Sequence, residues 1–113
     1  MILRDTIVEG LLDGKAKDVV CLDMRKIDGS ICDYFVIGHG DSTNHIEGIN
    51  RAVYKKCIKN LKEKPWKEEG KGKSEWILMD YVSVIAHIFY KDTRSIYNLE
   101  ELWGDAPKIE YQS

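Results

Sequence analysis

Three groups of residues in this sequence have the chemistry to do work, and each can be tested against what that work requires. Gly38-His39-Gly40-Asp41-Ser42 lies between a β-branched run and a periodic segment, where backbone N–H groups at a helix start can hold a phosphate. Its spacing is neither G-x-G-x-x-G nor G-x-x-x-x-G-K-S/T, and Asp41 would repel an anion, so a turn with a helix cap fits better. His39, His45, Asp33 and Asp41 offer two imidazoles and two carboxylates near one loop, a donor set that suits a metal. No H-x-x-x-H or H-E-x-x-H pattern fixes them on one helix face, and no metal is expected there. Cys21, Cys32 and Cys57 are odd in number and lack C-x-x-C spacing, which argues against a disulfide framework, a structural zinc site or a nucleophile. They are expected to be reduced and buried. His87 stands between Ala86 and Ile88 in an apolar run, where a hydrogen-bonded core or interface histidine is the usual reading. Neither a catalytic residue nor a cofactor is expected.

The elements that would position these groups come from a chain of 113 residues, enough for one hydrophobic core, with 43% hydrophobic and 32% charged residues. The opening Met-Ile-Leu-Arg-Asp-Thr-Ile-Val-Glu is broken by charges every few positions, unlike a signal peptide or a membrane span, so a cytoplasmic protein is expected. Leu3, Ile7 and Leu11 recur at helical spacing before Gly14, which predicts a helix over 2–14. Val19 to Met24 and Tyr34 to Ile37 predict two hairpin-connected strands around the Asp28-Gly29 turn. Ile46, Ile49, Val53, Cys57 and Leu61 form one stripe after Asp41-Ser42, which predicts an amphipathic helix over 43–62 ended by Lys64-Pro65. An edge strand over 66–69 and antiparallel strands over 75–81 and 84–90 follow, with a mobile loop expected at Gly70 to Ser74. A last amphipathic helix is expected from Arg94 to Trp103, closed by Gly104. This order predicts a single α/β (α+β) domain, residues 1–105, with one mixed sheet of about five strands flanked by helices, and a C-terminal tail over 106–113.

Charge is unevenly spread, and this bears on partners. Residues 51–73 hold nine of the seventeen basic side chains against three acidic ones, so a chain of net charge −2 has a local charge of +6 and a remainder of −8. The stripe of Arg51, Lys55, Lys59 and Lys62 is a candidate contact for RNA phosphates, and the acidic remainder suits a basic partner protein. The C-terminal half holds Trp76, Tyr97, Leu99, Leu102 and Trp103, more large apolar residues than a strand start and a terminal helical turn should bury. Aromatic residues grouped near polar ones are typical of interface centres, and exposed apolar surface also predicts a homodimer at high concentration.

Lys15 to Met24, Asp33 to Ile37, Gly40-Asp41-Ser42, Glu75 to Tyr81, His87-Ile88-Phe89 and Arg94 to Trp103 resemble, in order and over nearly the whole chain, successive motifs of the ribosomal silencing factor (Iojap) family. The resemblance implies a fold related to nucleotidyltransferases without their activity. It also implies binding to the large ribosomal subunit through ribosomal protein L fourteen, blocked joining of the small subunit, and translation repressed under nutrient limitation. By position, Trp76 matches the family's tryptophan at the ribosome contact, and Tyr97 to Trp103, with Leu99, Glu100 and Leu102, matches the C-terminal turn beside it. Val82 and Ser83 depart from the family pattern, which usually has a glycine and an aspartate there. The competing expectation is a nucleotide- or metal-dependent enzyme of nucleotidyltransferase-like fold built around His39, Asp41 and His45. Against it, Gly40-Asp41-Ser42 only loosely echoes a Gly-Ser helix start, and Asp80 stands without the second carboxylate that would hold magnesium.

Overall fold

The structure, a computed structural model, describes residues 2–72 and 75–112. Lys73 and Ser74, in the loop expected to be mobile, lie outside the described residues. In chain order the elements are α1 (Ile2–Asp13), β1 (Lys17–Asp23), β2 (Tyr34–Gly40), α2 (Thr43–Leu61), β3 (Lys67–Glu69), β4 (Trp76–Asp80), β5 (Val84–Tyr90), α3 (Lys91–Tyr97), α4 (Leu99–Leu102) and β6 (Lys108–Glu110). The strands make one six-stranded sheet in the order β3-β4-β5-β2-β1-β6. It is mixed, as predicted: β2 and β5 run parallel from Tyr34↔Val84 to Gly40↔Tyr90, and every other pair is antiparallel.

The two faces of the sheet are covered differently. The predicted stripe of α2 (Ile46, Ile49, Val53, Cys57) and the Leu3, Ile7 and Leu11 side of α1 pack on one face, against Val36, Ile77, Met79 and Ile88. Burial alternates along β4, so Ile77 and Met79 point to these helices while Trp76 and Leu78 point the other way. The second face carries Val20, Leu22, Phe35, Ile37, Ile85 and Phe89 beneath the short α3 and α4, with Leu99 and Trp103 packed in from α4 and its C-cap. Gly14, expected only to stop α1, also permits close approach of the helices: a Cβ there would lie 2.8 Å from Ile49 Cα, and one at Gly10 2.7 Å from Val53 Cα.

Two expectations are corrected. The single helix over Arg94 to Trp103 is two helices, because Asn98 takes a left-handed conformation (φ 45°, ψ 58°) and closes α3 with its N–H donating to Arg94 O. Asparagine tolerates this backbone better than most residues. The segment 106–113 is not a plain tail: Lys108–Glu110 pairs with Val20–Leu22 as a sixth strand, and Ala106 is buried. No helix among the described residues is long and apolar enough to cross a membrane.

Candidate functional site

The large apolar residues singled out in the C-terminal half gather on the second face of the sheet. Trp76 opens β4, opposite Phe89 of β5. Its ring centroid lies 4.8 Å from Phe89 and 4.6 Å from Tyr97 at the end of α3. The chain of rings continues from His87 to Phe35 (4.7 Å, edge-on) and from Phe35 to Trp103 (6.3 Å, edge-on). A strip of aromatic rings therefore crosses β4, β5 and β2, capped at its ends by side chains from α3 and α4. Its inner members are buried, with Phe89 and Phe35 only 0% and 8% exposed. Trp76, Leu99 and Trp103 are half-buried, while Tyr97 and Leu102 are 53% and 68% exposed and Ile96 is 77% exposed. The gradient from buried aromatic base to exposed apolar rim is what an interface centre requires, since a partner can desolvate the rim against side chains that are already fixed.

Two polar residues fix this strip. The Trp76 indole N–H donates to His87 Nδ1 at 3.1 Å, so the neutral imidazole carries its hydrogen on Nε2, which has no partner among the described residues. Burial pushes the His87 pKa down to about 4, so the ring stays an acceptor at neutral pH. Arg94, only 8% exposed, is the second anchor. Its Nε and Nη2 each donate to a Glu100 carboxylate oxygen at 3.2 Å. Its Nη1 donates to His39 Nδ1 at 2.9 Å and to Lys17 O at 3.3 Å. Guanidinium only donates, so His39 must accept, and burial together with the Arg94 charge lowers the His39 pKa accordingly. One side chain thus ties α3 to α4, β1 and β2, and sets the turn that carries Leu102 and Trp103.

The expected site residues do not all face outward. Glu100 is turned in toward Arg94, its side chain 24% exposed, and Glu101 accepts from Asn98 Nδ2 at 2.7 Å. Sequence reasoning missed Arg94 as an organiser; the only signal was an arginine followed six residues later by a glutamate in one short segment.

The loop of Gly38 to Ser42 does structural work. Ser42 caps α2, its hydroxyl accepting from His45 N–H at 3.1 Å. His45 Nδ1 accepts from Asp41 N–H at 3.1 Å, and its Nε2–H faces Gly14 O and Lys15 O at 3.1 and 3.0 Å. Asp41 pairs with Lys17 at 2.7 Å. The side chains of His39, Asp41 and His45, the residues of the enzyme alternative, are taken up by Arg94, by Lys17 and by the backbone of Asp41, Gly14 and Lys15 respectively. Among the described residues no three His, Cys, Asp or Glu side chains gather as a metal site. Cys21, Cys32 and Cys57 are buried, and desolvation raises all three thiols, Cys21 and Cys32 to about 11. A polar cleft of about 1050 Å³ opens beside Arg94, between α3 and the β1–β6 pair. Asp18, Lys91, Lys108 and Glu110 are among its walls, so charges of both signs meet there and no single ligand charge is favoured.

Fold and site together define a class: a small α+β domain with two helices on one face of a mixed sheet and a partly exposed aromatic strip on the other. A crystal structure of a protein from Bacillus halodurans has the same architecture, with a TM-score of 0.81 and 36% identity over 96% of this chain and 97% of that one. The family model described as "Ribosomal silencing factor during starvation" matches residues 3–113, and the chain belongs to that family. It is 43% identical to "Ribosomal silencing factor RsfS" of Bacillus subtilis over 84% of this chain and 79% of the relative. It is also 34% identical to mouse "Mitochondrial assembly of ribosomal large subunit protein 1" over 88% of this chain, which spans 44% of that protein.

Proposed function

We propose that this chain binds the large ribosomal subunit through ribosomal protein L fourteen, using the strip of Trp76, Tyr97, Leu99, Leu102 and Trp103. While bound it keeps the small subunit from joining and so lowers translation when nutrients are scarce. The action is occupancy of a surface, not a reaction. The observation that carries this reading is the exposed apolar rim of Tyr97 and Leu102 set beside half-buried tryptophans whose positions are fixed by His87 and Arg94. Membership of a ribosomal silencing family and the large-subunit assembly named for the mouse relative support a ribosomal partner for the chain. Glu100 and Glu101 beside the strip steer it toward a basic protein, with Glu101 the more exposed of the two. A second copy of the chain would cover the same apolar surface at high concentration, so a dimer of that kind has to open before the subunit is bound.

Co-sedimentation with isolated large subunits tests this reading, followed by a subunit-joining assay on gradients. Truncating a desolvated aromatic anchor costs about 2 to 4 kcal/mol, a fall in affinity of about 30- to 700-fold. Trp76→Ala should therefore release the large subunit and restore joining at concentrations where the parent protein prevents it. A well-folded Trp76→Ala protein that still bound the subunit and still kept the two apart would move the interface to another face.

A further inference from the structure

On the opposite side of the molecule, we infer that the outer face of α2 is a second contact surface, one that takes the phosphate backbone of RNA. Arg51, Lys55 and Lys59 follow one another at four-residue spacing on α2, and Lys62 continues the stripe at its C-cap. All four are exposed. From Arg51 to Lys62 the stripe runs about 16 Å at the helical rise per residue. Other lysines nearby are already neutralised: Lys56 by Asp13 at 2.7 Å, Lys67 by Glu69 at 3.4 Å and Lys71 by Glu68 at 3.8 Å. Arg51, Lys55, Lys59 and Lys62 enter no ion pair among the described residues. In a chain of net charge −2 this is a concentrated row of uncompensated cations, the complement of a polyanion.

The same face disfavours other occupants. Its apolar content is Ile58, 36% exposed, and half-buried Tyr54, which with the stems of Lys55 and Lys59 line a shallow depression of about 360 Å³. An amphipathic partner helix needs apolar anchors over two or more turns, and a membrane-lying helix needs a broad free apolar face. The apolar face of α2 is already spent on α1 and the sheet. Tyr54 at the rim of a cationic row instead suits a nucleic acid, offering a ring beside the phosphate contacts. The choice of RNA among polyanions rests on the ribosomal reading above; the charge argument does not. Because α2 and the aromatic strip lie on opposite faces of the sheet, both can be occupied at once.

Fluorescence anisotropy of the full chain with a labelled RNA hairpin tests the inference. Four phosphate contacts give a log–log salt slope of about −3, so binding should weaken about 60-fold between 50 and 200 mM salt. Replacing Arg51, Lys55, Lys59 and Lys62 together by Gln should abolish both the affinity and the slope. The milder Lys55→Gln, Lys59→Gln pair should about halve the slope and serves if the fourfold variant does not melt like the parent. Trp76→Ala should bind the hairpin as the parent does while losing the large subunit, so a failure of the aromatic interface leaves this result standing. No hairpin binding at 50 mM salt, Gln variants as tight and as salt-sensitive as the parent, or equally tight binding to anionic lipid vesicles or an acidic peptide would each overturn it.

Discussion

His87 should make this fold lose stability in mild acid, through a proton it cannot accept while folded. The unfolded chain protonates its histidine near 6.5, whereas burial holds the folded value down to about 4. A lowered folded pKa means that the unfolded state takes up the proton first as pH falls. Stability is therefore complete above about 6.5, falls through the interval from 6.5 to 4, and levels off below it. The separation of about 2.5 units corresponds to about 3.5 kcal/mol at about 1.4 kcal/mol per unit. With a urea m-value of about 1.5 kcal/mol/M, that is a fall in midpoint of about 2 M. The measurement is urea unfolding at pH 7, 6, 5 and 4, for the parent and for His87→Gln, whose amide oxygen can still accept from Trp76. His39 titrates in the same direction in both proteins and cancels in the difference. Asp23, held down to about 2 by Arg25, gives up its contribution only below its unfolded value near 3.8, outside this window. The variant should lose about 2 M less than the parent over the range. Midpoints falling in parallel would show that His87 is not kept neutral by burial, and the reasoning that fixes Trp76 through its Nδ1 would go with it.

Val82 sits at φ 74°, a conformation costly for a β-branched residue, and Val82→Gly should stabilise the domain by about 1 kcal/mol, seen as a melting temperature about 4 °C higher. Arg94→Met strips the counter-charge from half-buried Glu100 and should cost about 2 kcal/mol in thermal unfolding. Arg94→Lys should rescue little of this loss, because an ammonium cannot make the two-pronged contact with Glu100 and reach His39 as well. The three thiols should stay inert to a disulfide reagent at pH 8 in the native protein and react together in denaturant; a fast-reacting thiol before unfolding would contradict their burial and raised pKa values.

What the sequence discloses depends on how local the cause is. The 3.6-residue stripe of Ile46, Ile49, Val53 and Cys57 forecasts α2 to within a residue at its C-terminal end, because the buried side of a long helix is written in its own spacing. Val84 to Tyr90 likewise reads as a strand, being apolar enough to be covered on both faces. By contrast, β6 has no buried residue and exists through its pairing with Val20–Leu22, nearly ninety residues earlier, which no local pattern encodes. The break at Asn98 is hidden for another reason: Arg94 to Trp103 is periodic enough for one helix, and only the inward pull of Glu100 onto Arg94 shows the use of a second, shorter one. At the site, residue types announced the aromatic content, but the Trp76 to His87 bond depends on the offset between β4 and β5 and could not be read from either strand alone.

Both margins of the sheet end in three-residue strands, Lys67-Glu68-Glu69 on one side and Lys108-Ile109-Glu110 on the other. A bare sheet margin is a template for stacking further chains, and short charged strands are a common way of blunting it. A molecule with Leu102 exposed and Trp76 and Trp103 half-buried has particular need of this, since apolar exposure and an open margin together invite fibre growth. With both margins blunted, a neighbour gains little by adding strand to strand and must approach broadside. Deleting residues 107–113 would bare β1, whose residues Val20, Cys21 and Leu22 are all buried, and the consequence to look for is concentration-dependent precipitation rather than loss of a ligand.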